Sequence, residues 1–573
     1  MSLLPGKDAP LDETMQRMQA ALQQVGVDIE EQDWLNPVPN VWSVMVRDRN
    51  CPLISAGGKG ATREAALASA LGECVERLTC GVYFASYYLG GELSAAEYVH
   101  STNERWFPIA GGELPEGLLD DPTLCQYDMK GELRPEMLVD TNTGDQARGI
   151  CALPFVRQQT GGEVWFPVNL INNLYAGNGM AAGNTVWEAR VQALSEIFER
   201  HIKNTIISSG ISLPAIPDDV VKGYPAIWQA LESLRDYGFV VVVQDASLGG
   251  KYPLVNLCVL SPRTGACFAS FGAHPKFEVA LERAVTSLLQ GRRLEELDEG
   301  EWPDFSIKDV AEQHNIEAHF IDSSGAVAWD LLSEVSDYEY CDWNVEGDSK
   351  AEFEHLCYLI HKVDMDIYIA DYKCLGVDVS RIIVPGMSEF YPVDDLVWNN
   401  NNAGADLRSA LFHLPELSEA QCQDLADRLD EQGFDSSQLM ADLIGIVADE
   451  GTVWSELSVG ELKCLLALAV SDHIAAREWA GWIVDSSAVN EKRQSFYRCL
   501  YQVLGFELDA DREYHNFAPL MLRLYGAPMM SRVREIISGR GIFDDVLEVG
   551  GSLEGLQMHR EMLSVYSRLR RLS

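Results

Sequence analysis

The chain has 573 residues, 47% of them hydrophobic, and carries 87 acidic against 44 basic side chains for a net charge of −43. Such a length buries a large core and divides into two or more domains, and the composition is that of a folded chain, not a disordered one. So acidic a protein excludes nonspecific binding to nucleic acid or anionic membrane, favours a basic partner, and has no run of about 18 apolar residues to span a bilayer.

The opening run Met1-Ser-Leu-Leu-Pro-Gly-Lys7 lacks a basic start followed by an apolar core, so no signal peptide is expected. A helix over Leu11 to Val25 leads into a strand at Val41 to Val46. Gly57-Gly-Lys-Gly-Ala-Thr62 sets glycines beside a lysine but fails the Gly-x4-Gly-Lys-Ser/Thr phosphate loop. It reads as a strand turning into a helix capped by Thr62. On that helix Ser69, Glu73, Glu76 and Arg77 fall within roughly 100° of one another.

Asn178-Gly-Met-Ala-Ala-Gly-Asn184 reads as a loop feeding the most informative segment, a helix from Asn184 to Arg200. With Glu188 at zero, Gln192, Glu196, Glu199 and Asn184 lie near roughly 40°, 80°, 20° and −40°. Five polar groups, three of them carboxylates, thus share one face, with Val191, Leu194, Ile197 and Phe198 mostly outside it. Asn184 is either the N-cap of that helix or a ligand-facing amide. Stacked like charges destabilise a helix, so something positive belongs against this face; hard carboxylate and amide oxygens suit Mg²⁺.

Strands follow at Phe239 to Gln244 and Leu254 to Leu260, and His274, before Pro275, reads as structural. A third helix, Ala280 to Gln290, aligns Arg283, Ser287 and Gln290 within about 60°. Carboxylates for a cation beside arginines for phosphate oxygens make a workable nucleotide site. Asp322-Ser-Ser-Gly325 lacks the flanking pattern of a nucleophile turn, and no side chain is singled out as a catalytic acid, base or nucleophile. Strands at Ile367 to Ala370 and Ser380 to Val384 complete a mixed α/β region.

After Pro392 the pattern turns helical: Leu407 to Leu414, Glu419 to Gln432, Gln438 to Val447, Leu462 to Ser471, Ile474 to Val484, Glu491 to Leu504, Phe517 to Tyr525 and Val533 to Ile537. Alanines at close-packing positions suggest a tetratricopeptide-like array serving as an adaptor or homodimer surface, or a plain supporting bundle. The expected domains are therefore 1–400, with core motifs at 59–395, and 401–573. The 13 cysteines form no Cys-x2-Cys pair; Cys74, Cys80, Cys151 and Cys258 read as buried thiols in a reducing cytoplasm. Without clustered cysteines the chain is not expected to carry an iron–sulfur centre or to run radical sulfur insertion itself.

Ser69-x3-Glu73-x2-Glu76-Arg77, Asn184-x3-Glu188-x3-Gln192-x3-Glu196-x2-Glu199-Arg200 and Arg283-x6-Gln290 resemble the ATP-binding signature of the YcaO superfamily. Pro5-Gly-Lys7-Asp-Ala, Lys59-Gly-Ala-Thr, Phe271-Gly-Ala-His-Pro275 and Ile383-Val-Pro-Gly-Met-Ser388 extend the likeness toward a bacterial accessory factor for β-methylthiolation of small-subunit ribosomal protein twelve. The resemblance implies an open sheet-and-helix core binding ATP and Mg²⁺ without a Walker loop. It implies metal and phosphate contacts from Glu73, Glu76, Glu188, Glu196 and Glu199. Lys7, Ser69, Asn184, Gln192, Arg200, Arg283 and Gln290 would face ATP, with Arg77 and Ser287 in support. Its implied partners are a radical-SAM methylthiotransferase and the ribosomal protein.

Two functions stay open at this point. One is an ATP-hydrolysing accessory factor. The other is an enzyme that phosphorylates a peptide amide oxygen on the way to a thioamide or heterocycle. Azoline formation is not expected, because the Pro-x-Pro-x-Pro tail of heterocycle-forming members is missing from Ser567-Arg-Leu-Arg-Arg-Leu-Ser573. Ser287 stands where the family commonly has glutamate, which removes one charge from the expected site.

Overall fold

The computed structural model describes residues 3–142, 145–391, 402–486, 489–546, 549–550 and 553–572. Pro392, Ser573 and the expected domain boundary at 400–401 lie outside them. Helix α1 (Leu11–Gln24) precedes an antiparallel sheet of β1 (Ile29–Val38), β2 (Val41–Asp48) and β3 (Ser55–Gly60). Thr62 accepts from Ala65 N–H and starts α2 (Arg63–Thr79), as the sequence predicts.

The second sheet runs β4 (Arg105–Phe107), β5 (Ile150–Arg157), β11 (Tyr368–Cys374), β12 (Val377–Ile383), β7 (Met180–Gly183), with β6 (Glu163–Pro167) on β5. The third is β10 (Cys267–Ala273), β9 (Leu254–Leu260), β8 (Val240–Asp245). Every ladder between these strands is antiparallel. The mixed α/β core expected from the alternation is present, and the strand order, which no periodicity encodes, joins β11 and β12 to strands some 200 positions earlier in the chain.

Three strand-then-helix units share one design: β3 into α2, β7 into α3 (Val186–Ser209), β10 into α4 (Phe277–Leu288). In each, small residues let the helix press onto its own strand. A Cβ on Gly58 would lie 2.1 Å from Ala66 O, and one on Gly272 would lie 2.2 Å from Ala280 O. That close approach fixes the rotation of each helix, and hence the direction of its polar face. The stretch read as a loop at Asn178–Asn184 is corrected: Met180–Gly183 is strand β7, paired with Asp378–Arg381, and its small apolar residues hid the period-two signal.

The carboxy-terminal region is helical among the described residues: α5 (Glu419–Gln432), α6 (Val459–Ala469), α7 (His473–Asp485), α8 (Glu491–Leu508) and α9 (Ala518–Ile537) around one apolar core. Leu407 to Leu414 breaks into single turns, Ala405–Leu407 and Arg408–Leu411. Gln438 to Val447 shrinks to Met440–Ile444, stopped by Gly445 in the left-handed region at φ 69°. The helices predicted at 517–525 and 533–537 are both present within α9, which breaks at Gly526 (φ 78°, ψ 158°) ahead of Pro528, the second starting earlier than expected. Of the four cysteines read as buried, Cys74, Cys151 and Cys258 are, whereas Cys80 is half-buried. No helix among the described residues is long and apolar enough to cross a membrane.

One helix unread in the sequence, α10 (Gln557–Leu572), ties the two regions together. Its Met562, Val565, Tyr566 and Leu569 enter the core under the first sheet, beside Leu71, Cys74 and Val75 of α2. At its start His559 is buried; its Nδ1 accepts from Val447 N–H at 3.0 Å, so its Nε2 donates to Tyr88 O at 2.8 Å. Burial pushes its pKa from 6.5 down to about 4. A group whose folded pKa is depressed this way favours folding above its ordinary value, and that contribution is lost as pH falls through the window from 6.5 to about 4. Its worth is on the order of 3 kcal/mol. His559→Gln, which can both accept and donate, should therefore flatten the fall of Tm with acidity across that window; parallel profiles for the two proteins would refute the assignment.

Candidate functional site

The three strand–helix units converge their polar faces on one cleft. From α2 come Glu73, Glu76 and Arg77; from α3, Gln192, Glu196, Glu199 and Arg200; from α4, Arg283; and from β3, Lys59. Glu73 pairs with Arg77 and Glu196 with Arg200, each at 2.5 Å and each four residues apart along its helix. Glu199 accepts from Ala273 N–H at 3.3 Å. Arg283 donates to Ala273 O at 2.9 Å and to Gln192 Oε1, so it bridges β10 and α3.

The electrostatics show how tightly these groups share space. Burial, and after it the carboxylates of Glu196 and Glu73, hold the Glu76 pKa well above the ordinary carboxylate value. Burial also raises Glu196, with Arg200 opposing it and Glu199 and Glu73 adding to it. Burial lowers Lys59 although Glu199 and Glu73 pull the other way, and it lowers Arg283 against Glu199 and Glu196. One turn beyond Glu199, Lys203 is buried, donates to His319 O at 2.8 Å, and has its pKa brought down to about 8 by burial.

Not every predicted residue joins this cluster. Glu188, 4% exposed, is turned to the amino-terminal arm: Lys7 Nζ lies at 3.1 Å from Oε1 and Asp8 N–H donates to Oε2 at 2.9 Å. Asn184 Nδ2 donates to both its oxygens, and Asn184 Oδ1 accepts from Thr14 Oγ1 at 2.9 Å. The N-cap of α3 is Thr185, which accepts from Glu188 N–H, so the capping alternative for Asn184 is overturned. Ser69 is exposed one turn before Glu73. Ser287 is half-buried on the last turn of α4, whereas Gln290 lies past the end of that helix, its amide against Gly57 of β3. That puts the Gln290 amide on the same side of β3 as Lys59, two positions along the strand.

Lys59 and Lys203 escaped the sequence reading. Lys59 sits in the glycine run that fails the phosphate-loop pattern, and only the antiparallel sheet turns it toward α2 and α3. Lys203 had a signal: it follows Glu199 by four positions, on the same helix face. His274 is buried, with Nδ1 accepting from Lys276 N–H at 3.0 Å.

The donors fit magnesium and phosphate by their chemistry. Hard carboxylate oxygens and guanidinium groups face the same space, and Arg200 Nη1 is a buried donor with no hydrogen-bond partner among the described residues. As arranged, each carboxylate turns toward a cation or a backbone N–H. Among the described residues no three acidic, histidine or cysteine side chains are already placed as ligands of one metal. Binding would thus exchange these internal partners for the ion and its phosphates.

Comparison with known proteins gives a concordant picture. Residues 57–388 match the model of a family described as "YcaO cyclodehydratase, ATP-ad Mg2+-binding", and residues 404–572 match that of the "YcaO cyclodehydratase C-terminal domain". The chain is 46% identical over 575 residues to a protein of Escherichia coli (strain K12) named "Ribosomal protein S12 methylthiotransferase accessory factor YcaO", spanning 100% of this chain and 98% of that one. It is 45% identical over 572 residues to an uncharacterised protein of Haemophilus influenzae, spanning 99% and 97%. Among solved structures, YcaO from Methanopyrus kandleri, bound with AMPPCP and Mg²⁺, is 20% identical with a TM-score of 0.39, over 66% of this chain and 92% of that one.

Two substitutions test the site. Glu76→Gln removes one of four crowded carboxylates, so the ligand-free protein should melt at the same or a higher temperature, by up to about 1 kcal/mol, while losing most of its stabilisation by Mg-ATP. Undiminished stabilisation in a melting assay would place the metal elsewhere. Ser287→Glu should tighten Mg-ATP binding or leave it unchanged in calorimetry; abolished binding would show that α4 does not face the nucleotide.

Proposed function

Because the chain belongs to the YcaO family, described as ATP- and Mg²⁺-binding, we propose that its acidic cleft holds Mg-ATP and that it hydrolyses ATP as a cytoplasmic accessory factor in β-methylthiolation of a small-subunit ribosomal protein. The observation that carries this reading is the convergence of Glu73, Glu76, Glu196 and Glu199 with Lys59, Arg77, Arg200 and Arg283 from three separate strand–helix units. Bound Mg²⁺ would neutralise phosphate charge and polarise the γ-phosphoryl group.

The carboxylates of α2 and α3 would hold the metal, while Arg200 and Arg283 would meet phosphate oxygens as planar donors. Lys59, lowered below its ordinary pKa by burial while Glu199 and Glu73 pull the other way, places an ammonium group on the strand side of the cleft. Glu188, Asn184 and Thr14 hold the amino-terminal arm, so Lys7 is delivered to the start of α3 whenever the arm is docked. The role follows the name of the relative that matches the chain end to end. The partners in this reading are a radical-SAM methylthiotransferase and the ribosomal protein, with residues 401–573 as adaptor or homodimer surface and residues 1–400 as the nucleotide unit.

A second reading, phosphorylation of a peptide amide oxygen, draws on the cyclodehydratase named in the family description. It would use the same cleft, so the first experiment serves both. Purified protein with Mg-ATP, followed by phosphorus NMR, should release phosphate without any partner. Glu196→Ala should reduce that turnover by about 100-fold or more, the scale set by losing a charged group that acts on the transferring phosphoryl. No turnover, or turnover untouched by the substitution, would leave a purely binding role.

A further inference from the structure

Between Asp298 and Glu346 the chain carries fourteen acidic residues and a single lysine. The same segment exposes large aromatic side chains: Phe305 is 88% exposed, Trp302 69% and Trp329 44%. Phe305 and Trp329 lie side by side, ring centroids 6.0 Å apart, because a short bridge pins their backbones together: Asp304 N–H donates to Val327 O and Trp329 N–H to Asp304 O. The ridge is therefore built, not frayed. Leaving so much aromatic surface in water is unfavourable, and soluble proteins keep such patches where something covers them.

A pointer to what covers it is the partner that several other tryptophans of the chain have. Trp34, Trp106, Trp187, Trp228 and Trp479, all half-buried, each have an arginine or lysine of the same chain stacked on the ring. Among the described residues no such cation lies on Trp302, Phe305 or Trp329. Their carboxylate neighbours Glu301, Asp304 and Asp330 likewise have no basic partner there; ion pairs in this segment are confined to Asp298, Glu312 and Asp322. Open aromatic faces and unpaired carboxylates side by side want the same thing, cations carried on apolar stems.

We propose that the ridge formed by the paired rings of Phe305 and Trp329, together with the exposed Trp302 three positions before Phe305, is a docking surface for a basic protein segment that lays arginine and lysine side chains across the rings. A second copy of this chain, with its net charge of −43, would bring like charge against the ridge, and nucleic acid or an anionic membrane would do the same. The segment that carries the ridge also reaches the nucleotide cleft. Phe320 and His319, on the helix Gln313–Ile321 of this segment, take the stacked Arg200 guanidinium at 4.0 Å and the Lys203 ammonium at 2.8 Å. The ridge stands independently of the nucleotide reading, since none of its three rings belongs to the cleft.

The test uses the full chain, a synthetic peptide alternating arginine and alanine, and the same peptide with glutamate replacing arginine. Binding of the arginine peptide should change tryptophan fluorescence, weaken with added salt, and weaken about tenfold or more in Trp302→Ser/Phe305→Ser, whose exposed positions leave the fold intact. A melting curve matching the parent confirms that the variant is folded. Equal binding by parent and variant, or equal binding of the glutamate peptide, would overturn the proposal. So would concentration-dependent self-association in sedimentation that the double substitution removes, because the ridge would then be covered by a second copy.

Discussion

Four carboxylates forced to share one cleft set the terms for everything around them. Two like charges a few ångströms apart repel by on the order of 4 kcal/mol at the effective dielectric of a protein surface. Glu73, Glu76, Glu196 and Glu199 are crowded there beside Arg77, Arg200, Arg283 and Lys59, and the strain shows in the raised pKa of Glu76 and Glu196. Four acidic and four basic side chains meet there, and they come from three strand–helix units. An arrangement that stabilised the fold alone would have used apolar residues at these helix positions, at no electrostatic cost. Its persistence argues for a ligand that is itself both cationic and anionic, as a metal–nucleotide complex is.

The same constraint explains the architecture beneath. A face can be aimed only if its helix cannot roll, and the close seating of α2 on Gly58 and of α4 on Gly272 stops that motion. Arg283 then fixes α4 to α3 through Gln192 and to β10 through Ala273, so a single guanidinium spans two of the three units. At the other end of α3, Glu188 serves the amino-terminal arm, which closes over the helix start through Lys7, Asp8 and Thr14.

Much of this was legible in the sequence, for a definite reason. Helical faces are periodic, so Glu188, Gln192, Glu196 and Glu199 announce a common direction wherever the helix happens to pack. What periodicity cannot say is how far apart two residues on one face end up. Eleven positions separate Glu188 from Glu199, about 16 Å along a helix axis, which is why the first went to the arm and the others to the cleft. Strand β7 was missed because alanine and glycine carry no alternation. Lys59 was unreadable for a different reason: its role depends on tertiary contact between β3 and two helices, and nothing local marks it. Helix α10 lies beyond the last segment read as helical, although its buried Met562, Val565, Tyr566 and Leu569 follow helical spacing.

That last helix bears on how the two regions act. Tyr566 and Leu569 pack in the same core as Leu71, Cys74 and Val75, the apolar side of the helix that presents Glu73 and Glu76 to the cleft. Arg408 reinforces the seam: it donates to Ile444 O and Thr141 O and lies 4.4 Å over the Tyr88 ring. A helical region attached by a linker alone would move freely of the cleft. Here its final element is part of the wall behind the cleft, so any force on the helical region reaches α2 through packed side chains. Close-packed cores shift between discrete arrangements more readily than they deform continuously. A helical region seated this way can change the occupancy of the nucleotide site without touching the nucleotide, and by linkage the nucleotide can change the affinity of that region for whatever it binds.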